Sequence, residues 1–261
     1  MARFSRSAGR SDVGRVRPHN EDAFLCDEEI GLYVVADGMG GAAAGEVAAA
    51  EAIDQIHGMV RRNLHVLEEL RADAASEQTR GAVRRLLESA VQAATYMVFG
   101  LAEQDPTQRG MGTTISLLLL SSGRAFLAQV GDSRIYHSRG QRIVQLTEDH
   151  TLVNLQVKMG VLSAEEAKTA KHGNVITRAV GIHDYVQVDT FDVQAIPGDR
   201  FILCSDGLCG YVPTAEEFLP YLAQPELDVC ARSLIDLANS RGGKDNITVV
   251  VIEALQGQVV H

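Results

Sequence analysis

Four aspartates in this chain stand beside glycine or at the border of an apolar run, and their surroundings suit a hard cation. Asp37 follows Val34-Val35-Ala36 and precedes Gly38-Met39-Gly40-Gly41. Asp206 follows Phe201-Ile202-Leu203-Cys204-Ser205 and precedes Gly207. Asp245 precedes Asn246 and a β-branched run from Ile247 to Ile252, and Asp132 lies in Val130-Gly131-Asp132-Ser133-Arg134 at a break between two apolar stretches. Any one Asp-Gly alone is an ordinary turn. Four at comparable strand edges, with few His or Cys neighbours, have the oxygen-rich character that Mg²⁺ and Mn²⁺ select. The adjacent glycines let backbone approach a ligand closely. The segment Arg17-Pro18-His19-Asn20-Glu21-Asp22 adds two carboxylates and a guanidinium able to grip phosphate oxygens with two donors. Read by itself, that segment is also a solvated charged loop.

The elements that must position these residues are legible in part. The short apolar run Leu32 to Ala36 predicts a buried strand ending at Asp37-Gly38. Thr113 to Leu120 and Arg124 to Val130 read as a hairpin around Ser121-Ser122-Gly123. Further strands are expected at Ser133 to His137, Arg142 to Leu146, Arg200 to Cys204 and Ile247 to Ile252. Helical spacing marks Glu46 to Met59, Thr79 to Glu103 and Leu227 to Ser240. Asp149 to Lys171 predicts two shorter helices broken at Gly160. Helices in pairs between hairpin-linked strands fit antiparallel sheets covered by helices better than a strict βαβ alternation.

Composition narrows the function classes. Of 261 residues, 46% are apolar and 22% charged, enough for a sizeable core and too little charge for wholesale disorder. A formal net charge of -10 argues against nucleic acid as a partner, because phosphate backbones demand clustered Lys and Arg. The four cysteines, at 26, 204, 209 and 230, have no zinc-site or redox-motif spacing, which suits a reduced cytoplasm. Arg3, Arg6 and Arg10 are not followed by an apolar run, so no signal peptide is expected, and no stretch approaches the ~18 apolar residues of a membrane span. Gly-Met-Gly-Gly-Ala-Ala-Ala-Gly lacks the spacing and the Lys-Ser/Thr of a nucleotide-binding loop. His150 reads either as a ligand or proton shuttle, or as a hydrogen-bonded loop histidine. His19, His137, His172 and His183 read as loop histidines, and Cys204 reads as a buried small hydrophobe.

Eight segments carry a family resemblance: RPHNEDAF (17–24), VVADGMGG (34–41), GMGTT (110–114), VGDSRIY (130–136), LTEDHT (146–151), ITRAVG (176–181), GDRFILCSDGL (198–208) and GGKDNITVVVI (242–252). In this order they resemble the bacterial metal-dependent Ser/Thr protein phosphatases of the PPM, or type 2C, family. The resemblance implies an α+β fold, a four-layer α-β-β-α sandwich of two antiparallel sheets flanked by helix pairs. It implies one catalytic domain over residues 5–254, with a flap at about 151–174. It implies two Mn²⁺ or Mg²⁺ ions per site, with a third, weaker one, and a bridging water or hydroxide that attacks phosphoserine or phosphothreonine. By motif, Asp37 bridges the ions, Asp206 and Asp245 complete one site, and the Gly38 carbonyl serves the other. Glu21 and Asp22 hold metal-bound waters in the outer shell, Arg17 binds the substrate phosphate, and Asp132 joins Asp206 at the third ion. The implied partners are phosphorylated proteins, including a Ser/Thr kinase or its targets, with no nucleic acid or membrane and with the enzyme a cytoplasmic monomer. The alternative within the family is a non-catalytic pseudophosphatase used for binding or sensing, which loss of a metal aspartate would favour. Eukaryotic members often carry His after the metal-site Asp-Gly; here Met39 stands there and has no proton to give a leaving group. The variable flap, rich in Lys158, Glu165, Glu166, Lys168 and Lys171, is expected to influence substrate choice.

Rival phosphatase chemistries lack their residues. A cysteine phosphatase needs Arg six positions after Cys, where this chain has Leu32, Gly210, Ala215 and Asp236. No Asp-x-Asp and no Gly-Asn-His occurs.

Overall fold

A computed structural model describes residues 4–40, 44–167, 170 and 175–256. In chain order the elements are β1 (Ser5–Asp12), β2 (Asp22–Asp27), β3 (Leu32–Met39), α1 (Ala44–Arg62), α2 (Leu64–Ala72), α3 (Glu77–Gln104), β4 (Gly112–Thr113), β5 (Ile115–Ser121) and β6 (Arg124–Val130). Then come β7 (Arg134–Arg139), β8 (Arg142–Gln145), α4 (Leu152–Lys158), α5 (Ala164–Ala167), β9 (Asp189–Gln194), β10 (Arg200–Cys204), α6 (Asp206–Cys209), α7 (Leu219–Leu222), α8 (Leu227–Ser240) and β11 (Ile247–Ala254). The strands form two antiparallel sheets, one ordered β1-β11-β10-β7-β8 and the other β2-β3-β5-β6-β9, with β4 paired to β3.

Alternation of side chains along each strand builds three layers of core. In β3, Leu32, Val34 and Ala36 face α1 and α3 in one cluster, while Tyr33 and Val35 face the other sheet. Phe201, Leu203, Val250 and Ile252 meet them from the opposite side. The outer face of that sheet, with Ile202, Val249 and Val251, packs on α8 through Cys230, Ala231 and Leu234. The result is the expected four-layer α-β-β-α sandwich, although the two helical layers are unequal. The long helices α1 and α3 cover one sheet, and α8 with the short α7 covers the other. Helix α3 starts where the Ser76 hydroxyl accepts the Gln78 N–H at 3.1 Å, an N-cap. Among the described residues no helix is long and apolar enough to cross a membrane.

Three expectations shift. β3 continues to Met39, so Asp37 lies within a strand and not at its end. The strand expected from Thr113 breaks at Thr114, whose hydroxyl serves other partners, leaving β4 and β5 on either side. Strands β1, β2 and β9 and helix α2 were not legible: the three strands lie at sheet edges, where most positions are only partly buried and the pattern is mixed polar. The two helices around Gly160 are α4 and α5, with Gly160 at φ 71°, while Gly41, Lys168, Lys171 and His172 lie outside the described residues.

Candidate metal centre

The aspartates singled out in the sequence come from both sheets and meet at one edge of the sandwich. Asp22 and Asp37 are opposed in the β2–β3 register. Asp206 opens α6 immediately beyond β10, and Asp245 lies two residues before β11. Asp132 lies on the turn from β6 to β7, where the chain crosses from one sheet to the other.

Close backbone contacts bring these pieces together. A Cβ on Gly38 would lie 2.1 Å from the Gly45 carbonyl oxygen and 2.5 Å from that of Glu21, so only glycine lets α1 and the end of the 13–21 loop close on β3. A Cβ on Gly207 would lie 1.9 Å from the Asn246 carbonyl oxygen, so the Asp206-Gly207 turn can press against Asp245-Asn246. Asn246 then knots the 13–21 loop to β11. Its Oδ1 accepts the Glu21 N–H at 2.9 Å, and its Nδ2 donates to the carbonyls of Val13 at 3.0 Å and His19 at 2.8 Å. Asp37 is held by backbone: its N–H donates to Thr114 Oγ1 at 3.0 Å, and its carbonyl accepts from the Thr114 N–H at 2.9 Å and from Thr113 Oγ1 at 3.0 Å.

Burial and mutual repulsion dominate the electrostatics. Burial, reinforced by the carboxylates of Asp22, Asp206, Asp132 and Asp245, pushes Asp37 well above the usual range. Burial raises Asp22 to about 7, with Asp206 and Asp245 adding to the rise against hydrogen bonds from Thr248 and Ser205. Burial followed by the charges of Asp206 and Asp149 raises Asp132 to about 7. Asp206 is raised by burial and then by Asp245, and lies within hydrogen-bonding reach of Asp37. Such mutual perturbation among titratable groups in a cleft marks a functional site. The cleft is a cavity of about 340 Å³ whose walls include Asp132, Arg134, Asp149, Asp206, Lys244 and Asp245.

The residues present fit a hard divalent cation. The donors are carboxylate oxygens, and Asp22 Oδ1 and Asp132 Oδ1 are buried without a hydrogen-bond partner. Among the described residues no group of three or more His, Cys, Asp or Glu side chains already stands in ligating geometry. Asp245 is engaged elsewhere: its Oδ2 takes Arg17 Nη2 at 2.7 Å, and its Oδ1 takes the Asn246 N–H at 2.9 Å. Arg17 is thereby brought to the cluster, half-exposed. The Glu21 carboxyl lies against Gly45 at the start of α1, and Glu21 and Asp37 both act on the Arg17 charge.

Sequence reasoning missed the supports. Ser205 Oγ donates to Asp22 Oδ2 at 2.8 Å and accepts the Thr248 N–H at 3.0 Å. Thr114 Oγ1 also lies 2.8 Å from Ser133 Oγ. Asp149, within the quoted LTEDHT segment, holds Arg134 by Nε at 2.9 Å and Nη2 at 2.7 Å on the cavity wall. Ser205 and Ser133 adjoin motif aspartates, and Thr114 and Asp149 lie in other segments of the resemblance, but nothing in their own local pattern marks the role. Cys204 is fully buried, as expected. His150 is also buried and hydrogen-bonded through both ring nitrogens.

A family profile described as Protein phosphatase 2C matches residues 9–232. The chain is 35% identical over 247 residues to a serine/threonine phosphatase, stp, of Listeria innocua, covering 94% of each chain. It superposes on the crystal structure of the Mycobacterium tuberculosis serine/threonine phosphatase PstP/Ppp with a TM-score of 0.81 and 36% identity, covering 97% of this chain and 100% of that one. It also superposes on the catalytic domain of PstP in complex with two manganese ions, with a TM-score of 0.79 and 36% identity, covering 97% of this chain and 99% of that one.

Proposed function

The chain belongs to the bacterial protein phosphatase 2C, or PPM, family of metal-dependent Ser/Thr phosphoprotein phosphatases, and from that membership we propose how its residues divide the work. Asp37, central to the cluster, would hold two ions at once. Asp206 and Asp245 would complete one ion's site, and the Gly38 carbonyl would serve the other. Divalent cations bound there supply a water acidic enough to attack phosphorus near neutral pH and offset charge on the phosphoryl oxygens. Asp22 and Glu21 would orient coordinated solvent, Asp22 being fixed for that by Ser205. Asp132 would join Asp206 at a third ion, consistent with its unpartnered Oδ1. Arg17 reaches Asp245 through Nη2, and a guanidinium has further donors to offer a phosphate beside it. Manganese as one working ion is supported by the relative crystallised with two of them. The substrates would be proteins phosphorylated on Ser or Thr by an opposing kinase, presented at the cavity between Asp132 and Lys244.

The observation that carries this reading is the meeting of Asp22, Asp37, Asp132 and Asp206 in one group, with Asp22 and Asp132 buried and all four pKa values driven up together. A peptide assay tests it. Phosphothreonine peptide should be hydrolysed in proportion to added Mn²⁺, and a phosphotyrosine peptide of the same sequence should not. Turnover unaffected by a chelator would end the metal reading. Equal turnover of the two peptides would end the substrate reading.

A further inference from the structure

His150 commits its backbone and its ring to the residue before Asp132. Its N–H donates to the Gly131 carbonyl at 2.9 Å, and its Nδ1 accepts the Gly131 N–H at 3.1 Å. Gln129 Nε2 also donates to that carbonyl at 3.3 Å, but the Gly131 N–H goes to His150. Gly131 has φ 98°, and a Cβ there would lie 2.6 Å from Thr114 Cγ2. The ring that grips it is itself braced. An imidazole accepting at Nδ1 carries its proton at Nε2 when neutral. That Nε2–H faces Asp189 Oδ2 at 3.1 Å, while Arg178 Nη1 donates to Asp189 Oδ1 at 2.8 Å. On its other side His150 leads into the flap. Its carbonyl accepts the Thr177 N–H at 2.8 Å, and the next residue, Thr151, caps α4 through Asn154 N–H at 3.3 Å. One buried residue therefore joins the Gly131-Asp132 turn and the start of β9 through its ring, and the base of α4 through its backbone.

We propose that His150 is a positioning residue for Asp132, holding the Gly131-Asp132 turn so that the Asp132 carboxylate faces Asp206, with Asp189 and Arg178 fixing the imidazole. Both ring nitrogens are used in this task, so His150 is neither a metal ligand nor a proton shuttle. The inference rests on the reading of Asp132 as a cation-binding carboxylate. By analogy with residues that orient ligands from behind, its removal should weaken the dependent ion by about 10–100-fold.

The test compares His150→Leu, His150→Asn, Asp132→Asn and the double variant His150→Leu/Asp132→Asn. Readouts are Mn²⁺ binding by titration calorimetry, kcat and KM on a phosphothreonine peptide, and melting temperature. His150→Leu should weaken the same, weakest Mn²⁺ that Asp132→Asn removes, and leave the tighter ions in place. It should lower kcat about tenfold with KM within about twofold. The double variant should be no worse than Asp132→Asn, because both changes act on one carboxylate. His150→Asn, whose Oδ1 occupies the place of Nδ1, should recover most of the loss. Additive losses, or no recovery by Asn, would overturn the proposal and leave His150 a packing residue. If Asp132→Asn alters neither ion count nor kcat, the reading of Asp132 fails and the inference falls with it, which is a distinct result. Should His150→Leu not fold, Asp189→Asn replaces it. The same ion should weaken, by a smaller factor, and an unchanged ion would again overturn the proposal.

Discussion

The two ends of strand β2 carry the same residue type at the same exposure, 9%, and treat it in opposite ways. At one end Asp27 is surrounded by donors: His57 Nε2 at 2.7 Å, Arg61 Nη2 at 2.6 Å and the N–H groups of Glu29 and Ile30 at 3.1 and 3.3 Å. Burial works against its charge, but the hydrogen bonds from His57 and Arg61 outweigh it and hold the carboxyl below its usual range. At the other end Asp22 has Ser205 on Oδ2 and nothing on Oδ1, and burial first, then the carboxylates of Asp206 and Asp245, push it up to about 7. A buried acid meant for structure is given its cation by the chain. A buried acid in the proposed cation-binding cluster is left short of positive charge, and a bound ion would relieve the repulsion.

Breaking the site end should have the largest effect. Asp37→Ala should lower turnover of a phosphothreonine peptide by at least about 1,000-fold, since in the proposed reading it would remove a ligand and not merely an outer partner. The metal-free variant should melt no lower than the metal-free parent, because an acid whose ionisation the fold penalises is gone; a clear fall would contradict the contrast. Next, Mn²⁺ at about 100 times its dissociation constant should stabilise the parent by about 2.7 kcal/mol, a rise of about 5–10 °C in calorimetry. Asp37→Ala should erase most of that rise. At the structural end, Asp27→Asn should cost about 1–2 kcal/mol by denaturant unfolding, with Arg61 half-exposed and able to rehydrate. Asp22→Asn in metal-free protein should cost nothing or stabilise. Similar losses in the two would erase the distinction.

The pH dependence should differ in sign at the two ends. A depressed acid such as Asp27 contributes stability that is complete above its ordinary pKa of about 4 and is lost as pH falls through its lower folded value. Asp22 and Asp132, raised to about 7, contribute stability present below about 4 and lost as pH rises through their folded values. Metal-free protein should therefore melt a few degrees lower at about pH 8 than at about pH 5, and saturating Mn²⁺ should remove the difference. A flat metal-free profile would weigh against the raised cluster.

Much of this was legible along the chain. The central strands β3, β5, β6, β10 and β11 are nearly continuous apolar runs because both their faces are buried, and periodicity alone finds them. The edge strands β1 and β9 are mostly only partly buried and carry a mixed pattern, so pairing and not composition makes them strands. The same split runs through the site. Asp37, Asp132, Asp206 and Asp245 announce themselves beside glycine or a strand, whereas Ser205, Thr114, Asn246 and Asp149 have local sequences no different from many surface turns.

Residue types and local spacing sufficed for the candidate acids, the class of ion they could hold and antiparallel sheets covered by helices, because hydrophobic period and ligand chemistry are local properties; the two-sheet sandwich followed from the family resemblance. Which acids share one pocket, which are neutralised by arginine and which are left to repel was decided only in three dimensions. Those outcomes depend on contacts between segments far apart in the chain, such as Asn246 with Glu21 and Ser205 with Asp22. A carboxylate's charge is set by what surrounds it in space.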